Sequence, residues 1–318
     1  MIEISHLVKK YGGHTAVDDL SLTVEPGRIY GFLGPNGAGK STTMNIMTGY
    51  LGATSGTVKI NGYDIFTQPE EAKKCIGYLP ELPPLYMDMT VREYLNFVAE
   101  LKKLDKKERK HLIDEAMETT KISELQTRLI RNLSKGYRQR VGFAQAILGY
   151  PEIIILDEPT VGLDPKQIIE IRELIRELGK KHTVILSSHI LTEVSAVCDY
   201  IFILSKGKLV ASDTTENLLN EMSGAQEIGL LVEGEKERAM SAIGEIAEVE
   251  KIKAVETTEE AAVQLAVLAK KGCDIRKELF HACVDNGICI LEMSQMTRSL
   301  EDVFLELTES TKSGQEEA

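Results

Sequence analysis

The sequence predicts an α/β protein: a first domain built on a largely parallel sheet, residues 1–215, then a smaller α+β domain of ferredoxin-like order, residues 216–318. Three observations carry this reading. Strand-like and helix-like segments alternate through the first 215 or so residues, the pattern of a parallel sheet with helical crossovers. Ile29-Tyr30-Gly31-Phe32-Leu33, Ile153-Ile154-Ile155-Leu156 and Thr183-Val184-Ile185-Leu186 show little polar–apolar alternation, as strands covered on both faces do. After Asp213 the pattern changes to β-α-β-β-α-β.

Taken in order, Ser21-Leu22-Thr23-Val24 is the first strand signal, followed by Ile29-Tyr30-Gly31-Phe32-Leu33. Gly56-Thr57-Val58-Lys59-Ile60-Asn61-Gly62 has the look of an antiparallel hairpin edge. From about 90 to 150 the alternation is broken by a helical insertion. Thr90-Val91-Arg92-Glu93 opens one amphipathic helix, residues 106–119 carry a second, and a third begins at Ser134. In the second domain Ile228-Gly229-Leu230-Leu231-Val232, residues 249–255, residues 263–268 and Ile288-Cys289-Ile290-Leu291 read as strands. Residues 235–245 and 274–286 read as the helices between them, with a last helix near 300–307 and a disordered tail over 311–318.

Bulk properties narrow the function. The chain has 318 residues, 43% hydrophobic and 27% charged, with a formal charge of −12. Most of the acidic excess lies beyond Glu221, which argues against a nucleic-acid partner because like charges repel. No run approaches the ~20 apolar residues of a membrane helix, and Met1-Ile2-Glu3-Ile4-Ser5-His6 has no signal-peptide character. The five cysteines (Cys75, Cys198, Cys273, Cys283 and Cys289) lack metal-ligand spacing and read as free thiols in a reducing compartment. A membrane role therefore requires another protein as anchor.

The chemistry begins at Gly34-Pro35-Asn36-Gly37-Ala38-Gly39-Lys40-Ser41, which fits the phosphate-binding loop G-x-x-x-x-G-K-[ST]. A strand precedes it and a helix follows, so backbone N–H groups through Thr42 can face a phosphate at a helix N-terminus. Lys40 would reach the β- and γ-phosphates and the Ser41 hydroxyl would take Mg²⁺. Asp157 leaves the apolar strand at its carboxyl end, where open α/β sheets bind ligands. It would hold the same Mg²⁺, leaving Glu158 to orient or deprotonate a water attacking the γ-phosphate of a nucleoside triphosphate.

Further elements resemble the ABC (ATP-binding cassette) ATPase family. Leu133-Ser134-Lys135-Gly136-Tyr137-Arg138-Gln139-Arg140 is similar to its signature, with Lys135 and Tyr137 departing from the usual pattern. Val161-Gly162-Leu163-Asp164 resembles the D-loop, and Ser187-Ser188-His189 the switch histidine. Ile76-Gly77-Tyr78-Leu79-Pro80-Glu81 resembles the Q-loop, with Glu81 where Gln is usual, and Tyr11 resembles the aromatic that stacks on adenine. The resemblance implies catalytic roles for Glu158, His189 and Lys40, and metal ligation by Ser41, Glu81 and Asp157. It also implies nucleotide contacts by Ser134, Gly136 and Asp164, made across a homodimer or pseudo-dimer that sandwiches two ATP molecules. Lys135 would add a cation near the γ-phosphate or the interface. Residues 296–308 resemble the closing helix of cassettes serving ABC-2 type permeases, as do the Q-loop and signature departures. That branch implies export through a separate integral membrane permease, at the cytoplasmic face; the alternative is a soluble ABC ATPase of an assembly or regulatory complex. The apolar, proline-stiffened segment 81–90 has two readings at this level, docking a partner helix or packing on the cassette itself.

Overall fold

The computed structural model describes residues 1–218, 227–255, 262–270 and 273–296. The chain divides after Thr215 into two compact units. The first opens with β1 (Ile2–Tyr11), β2 (His14–Val24), β3 (Ile29–Leu33), α1 (Lys40–Met47), β4 (Ser55–Ile60) and β5 (Tyr63–Asp64). It continues through α2 (Pro69–Lys74), β6 (Ile76–Leu79), α3 (Val91–Leu101), α4 (Arg109–Thr119) and α5 (Lys135–Ile147). It closes with β7 (Ile153–Asp157), α6 (Pro165–Gly179), β8 (Thr183–Ser188), α7 (Leu191–Val197), β9 (Tyr200–Ser205) and β10 (Lys208–Thr214).

Two sheets share one core. The larger has the order β10-β9-β3-β8-β7-β6, parallel except at the β9–β10 hairpin. Its three central strands β3, β8 and β7 are buried along their whole length, as their unbroken apolar runs require. The smaller sheet is antiparallel, in the order β2-β1-β4-β5. Ile2, Ile4, Leu22, Val58 and Ile60 from that sheet meet Phe32, Ile155 and Phe202 of the larger one, with Met44 and Met47 of α1 among them.

The strand expected at Ser21-Leu22-Thr23-Val24 is present but longer than its signal: these residues end an eleven-residue strand that belongs to the antiparallel sheet. Strand β1 goes unanticipated because its register shifts between Ile4 and Leu7, where His6 adopts φ +50°, so Ile2, Ile4 and Leu7 break the period of two. The β4–β5 hairpin turns at Asn61-Gly62, both at positive φ, as a tight turn of this twist demands.

The helical insertion follows from local sequence. Thr90 caps α3 through its hydroxyl, which accepts from the Glu93 N–H, while the Glu93 carboxylate accepts from the Thr90 N–H. Val91, Tyr94, Leu95, Val98 and Ala99 then form the buried stripe. The second helix starts at Arg109, three residues later than its pattern suggests. The Ser134 hydroxyl accepts from the Tyr137 N–H to begin α5.

The second unit contains β11 (Glu227–Glu233), α8 (Lys236–Gly244), β12 (Val249–Val255), β13 (Ala262–Ala269), α9 (Arg276–Asp285) and β14 (Cys289–Met296). Its sheet order, β12-β13-β11-β14 with all neighbours antiparallel, is the ferredoxin-like one. Ile228, Leu230 and Val232 pack with Leu265, Val267, Ile243 and Leu279 into a core of their own. The helix expected near 300–307 and the tail over 311–318 lie outside the described residues. Among those described, no helix is long and apolar enough to cross a membrane.

Candidate active site

Parallel pairing sets the carboxyl ends of β3, β8, β7 and β6 side by side: Leu33 opposes Ser188, Asp157 opposes Ser187, and Leu79 opposes Leu156. Each strand hands its next residues to the same edge. A cavity of about 290 Å³ forms there, lined by residues 36–42 with Glu81, Glu158, Val161 and His189.

The loop after β3 needs its glycines at two places. Gly39 adopts φ +98°, and a Cβ there would come within 2.5 Å of the Ala16 carbonyl oxygen; at Gly34 it would come within 2.5 Å of the Leu204 carbonyl oxygen. Lys40 turns back over the loop, its Nζ donating to the Gly34 carbonyl at 2.7 Å and the Pro35 carbonyl at 3.3 Å. It also lies 3.9 Å from Glu158 Oε1. Burial lowers the Lys40 pKa, against the pull of Glu158 and Asp157.

Around Asp157 the hydroxyls converge. Ser41 Oγ donates to Asp157 Oδ1 at 3.2 Å, and Ser187 Oγ donates to the same oxygen at 2.5 Å. Ser187 also accepts the Glu158 N–H at 3.0 Å. Glu158 has left-handed backbone, φ +46°, which turns its chain out of the strand direction. His189 Nδ1 lies 3.0 and 3.1 Å from the two Glu158 carboxylate oxygens. Burial raises the Glu158 pKa, opposed by the hydrogen bond and charge of His189 and the charge of Lys40.

A hydroxyl and two carboxylates, from Ser41, Asp157 and Glu81, are the hard oxygen donors Mg²⁺ prefers, and Ser41 and Asp157 already touch. Among the described residues no three His, Cys, Asp or Glu cluster as a self-sufficient metal site. This set therefore suits an ion shared with substrate phosphates.

Four of the sequence-predicted residues stand apart from this cavity. Tyr11 is exposed at the β1–β2 turn with Lys9 Nζ 5.1 Å from its ring centre. Ser134 and Gly136 begin α5, and Asp164 caps α6 by accepting from the Gln167 N–H. Lys135 lies over Gly162 of the D-loop, where an added Cβ would meet its Nζ at 2.1 Å, and Gly136 leaves room for the Gln167 amide. Gln139 Nε2 donates to the Pro159 carbonyl at 3.0 Å, another tie between α5 and this segment. Sequence reasoning passed over Ser187, which it quoted only as a neighbour of His189; the Ser-Ser-His run at a strand end was the available signal.

Segment 81–90 divides its residues. Pro83 packs on Gly142 of α5, whereas Leu82, Tyr86 and Met87 are exposed. Tyr86 stacks edge-on to Phe97 at 5.2 Å, and exposed Leu101 continues the apolar surface.

A phosphate loop, a buried acidic strand end and a histidine paired with Glu158 at one sheet edge define a nucleoside triphosphatase of the phosphate-loop class. A family model described as ABC transporter matches residues 17–161. The bacitracin transport ATP-binding protein BcrA of Bacillus licheniformis is 35% identical over 310 residues, covering 96% of this chain and 97% of that one. The linearmycin resistance ATP-binding protein LnrL of Bacillus subtilis (strain 168) is 32% identical over 312 residues, covering 98% and 99%. A solved ATP-binding subunit of an ABC transporter has a TM-score of 0.64 at 30% identity, covering 70% of this chain and 93% of that one. The chain belongs to the ABC transporter family and is an ATP-binding, ATP-hydrolysing subunit of such a transporter.

Proposed function

We propose that this chain powers an ABC-2 type exporter by working at the cytoplasmic face of a membrane, bound to a separate permease and paired with a second cassette. The observation that carries the permease partnership is the exposure of Leu82, Tyr86 and Met87 in the segment that starts at Glu81, which lines the nucleotide cavity, with exposed Leu101 sharing a groove with Tyr86. Such a patch is costly on a free surface and suits a docked helix, and Glu81 would tell it whether nucleotide is present. Export is supported by relatives named for bacitracin transport and linearmycin resistance that share nearly the whole length of the chain, second unit included.

In this reading the N–H groups of residues 36–42 and the Lys40 ammonium bind the ATP phosphates. Ser41, Asp157 and Glu81 would hold Mg²⁺, which neutralises phosphate charge when bound. Glu158 orients the attacking water or takes its proton; His189, 3.0 Å away, keeps that carboxylate aimed and reaches the γ-phosphate. Ser134, Gly136 and Asp164, which are not among the residues lining the cavity of their own chain, serve the second cassette's nucleotide across the dimer, and Tyr11 stacks on adenine.

Affinity purification of the tagged chain from mild-detergent extracts tests the partnership. A polytopic membrane protein in stoichiometric amount is expected, and its release by Tyr86→Glu. Recovery of the chain alone, or with water-soluble proteins only, while ATP hydrolysis persists, would replace the exporter by a soluble ABC ATPase.

A further inference from the structure

The first unit buries a carboxylate that the mechanism above leaves unused. Glu193, in α7, is only 6% exposed, and among the described residues no Lys or Arg pairs with it. Two hydroxyls meet it instead, both at Oε2: Thr160 Oγ1 donates at 2.5 Å and Ser188 Oγ at 3.2 Å. Thr160 and Ser188 are buried too, at 5% and 0% exposure. A carboxylate taken out of water without a cation is expensive, and a leucine would fill the space without that cost. Its retention is explained by what the two hydroxyls belong to.

Thr160 lies two residues beyond Glu158, and the turn there is tight: the Val161 N–H donates to the Glu158 carbonyl and the Leu163 N–H to the Thr160 carbonyl, each at 3.2 Å. Ser188 immediately precedes His189, and its hydroxyl accepts the Ile190 N–H at 3.0 Å. One oxygen atom thus holds the segment that follows Glu158 and the segment that carries His189. Ser187 ties the same two strand ends at Asp157 and at the Glu158 N–H, upstream of both reactive side chains. Glu193 closes the ring at Thr160, just beyond Glu158, and at Ser188, just before His189.

We infer that Glu193 is a positioning residue: through Thr160 and Ser188 it fixes the D-loop start and the switch loop to each other, and so holds His189 at hydrogen-bond distance from Glu158. The inference rests on the roles given above to Glu158 and His189. It also gives the D-loop, which would face the second cassette, a mechanical connection to the histidine of its own site.

Steady-state ATP hydrolysis by the full chain tests it. Glu193→Ala should lower kcat at least about tenfold with KM for ATP changed less than about twofold, the signature of a lost transition-state interaction. Glu193→Gln should recover kcat to within about threefold, since an amide oxygen can accept from both hydroxyls. Thr160→Val should reproduce the loss, and combining it with Glu193→Ala should add little more; this variant carries the test if Glu193→Ala fails to fold. Unchanged kcat in Thr160→Val and Glu193→Ala, or a Glu193→Gln variant as impaired as Glu193→Ala, overturns the inference. If His189→Ala and Glu158→Gln both hydrolyse ATP normally, the site reading falls and takes this one with it. If they are inactive while Glu193→Ala is not, only the positioning role is lost.

Discussion

Glu158 holds a backbone conformation that costs an L-residue about 1–2 kcal/mol, at the point where a strand of pure core becomes a reactive edge. Its carboxyl is buried against Lys40 and His189, and its pKa is raised above the ordinary 4.5. A general base must be ionised, so the acid limb of kcat/KM is expected above the usual carboxylate range, and a pH–rate profile measures it directly. The same shift acts on stability. Just above pH 4.5 the folded chain keeps a proton that the unfolded chain releases, so this group's contribution falls as pH rises through that window. Replacing Glu158 by Gln should therefore leave ATP binding intact and lower the hydrolysis rate about 10²–10⁴-fold. Fluorescent-nucleotide titration and phosphate release read the two quantities separately, and a variant that loses both would assign Glu158 to binding.

At the scale of elements, α3 and α5 are fastened by one side chain. Lys102, just past the end of α3, donates from Nζ to the carbonyls of Gln145, Ala146 and Leu148 at 3.0, 3.3 and 2.7 Å, meeting the unpaired acceptors at the C-terminus of α5. Tyr94 of α3 adds a hydrogen bond to the Gln145 side chain. The helix that begins with the signature is thereby joined to the helix that follows segment 81–90, which suits a subdomain that moves as one piece. Burial pulls the Lys102 pKa down to about 8 from the ordinary 10.5. Between those values the unfolded chain binds the proton and the folded chain does not, so stability contributed here rises with pH across that window. Thermal unfolding of wild type against Lys102→Met between pH 7.5 and 10 should show the difference moving in favour of wild type as pH increases. A difference independent of pH would mean the ammonium is not desolvated.

At the scale of the whole molecule, each unit owns a complete hydrophobic cluster, one built around Phe32, Met44 and Ile155, the other around Ile228, Leu265 and Leu279. A core of this kind supports independent cooperative unfolding. A chain ending at Thr215 is expected to fold and bind ATP. The full chain should melt in two calorimetric transitions, only one of which ATP raises, since the nucleotide cavity lies wholly in the first unit. A single transition shifted by ATP would show the units to be energetically inseparable.

Much of this was legible in the residues. The strand–loop–helix around Lys40, the apolar run ending in Asp157 and Glu158, and the β-α-β-β-α-β order of the second unit are short-range patterns: burial on both faces removes alternation, and phosphate chemistry restricts which residues a loop can use. Strand β1 was not legible, because a bulge at His6 erased its period. The exposure of Leu82 and Tyr86 was also undecided, since either face of a proline-stiffened segment can turn to the core. The gathering of Glu81, Glu158 and His189 at one edge depends on the order β3-β8-β7-β6, fixed by pairings between residues as distant in sequence as Ile29 and Val184. So does the ring closed by Glu193. The sequence by itself determined which chemistry the chain carries, because that chemistry needs particular residue types at close spacing. Only the tertiary structure decided which of those groups share a site and what holds them there, because hydrogen bonds between distant strands leave no periodicity along the chain.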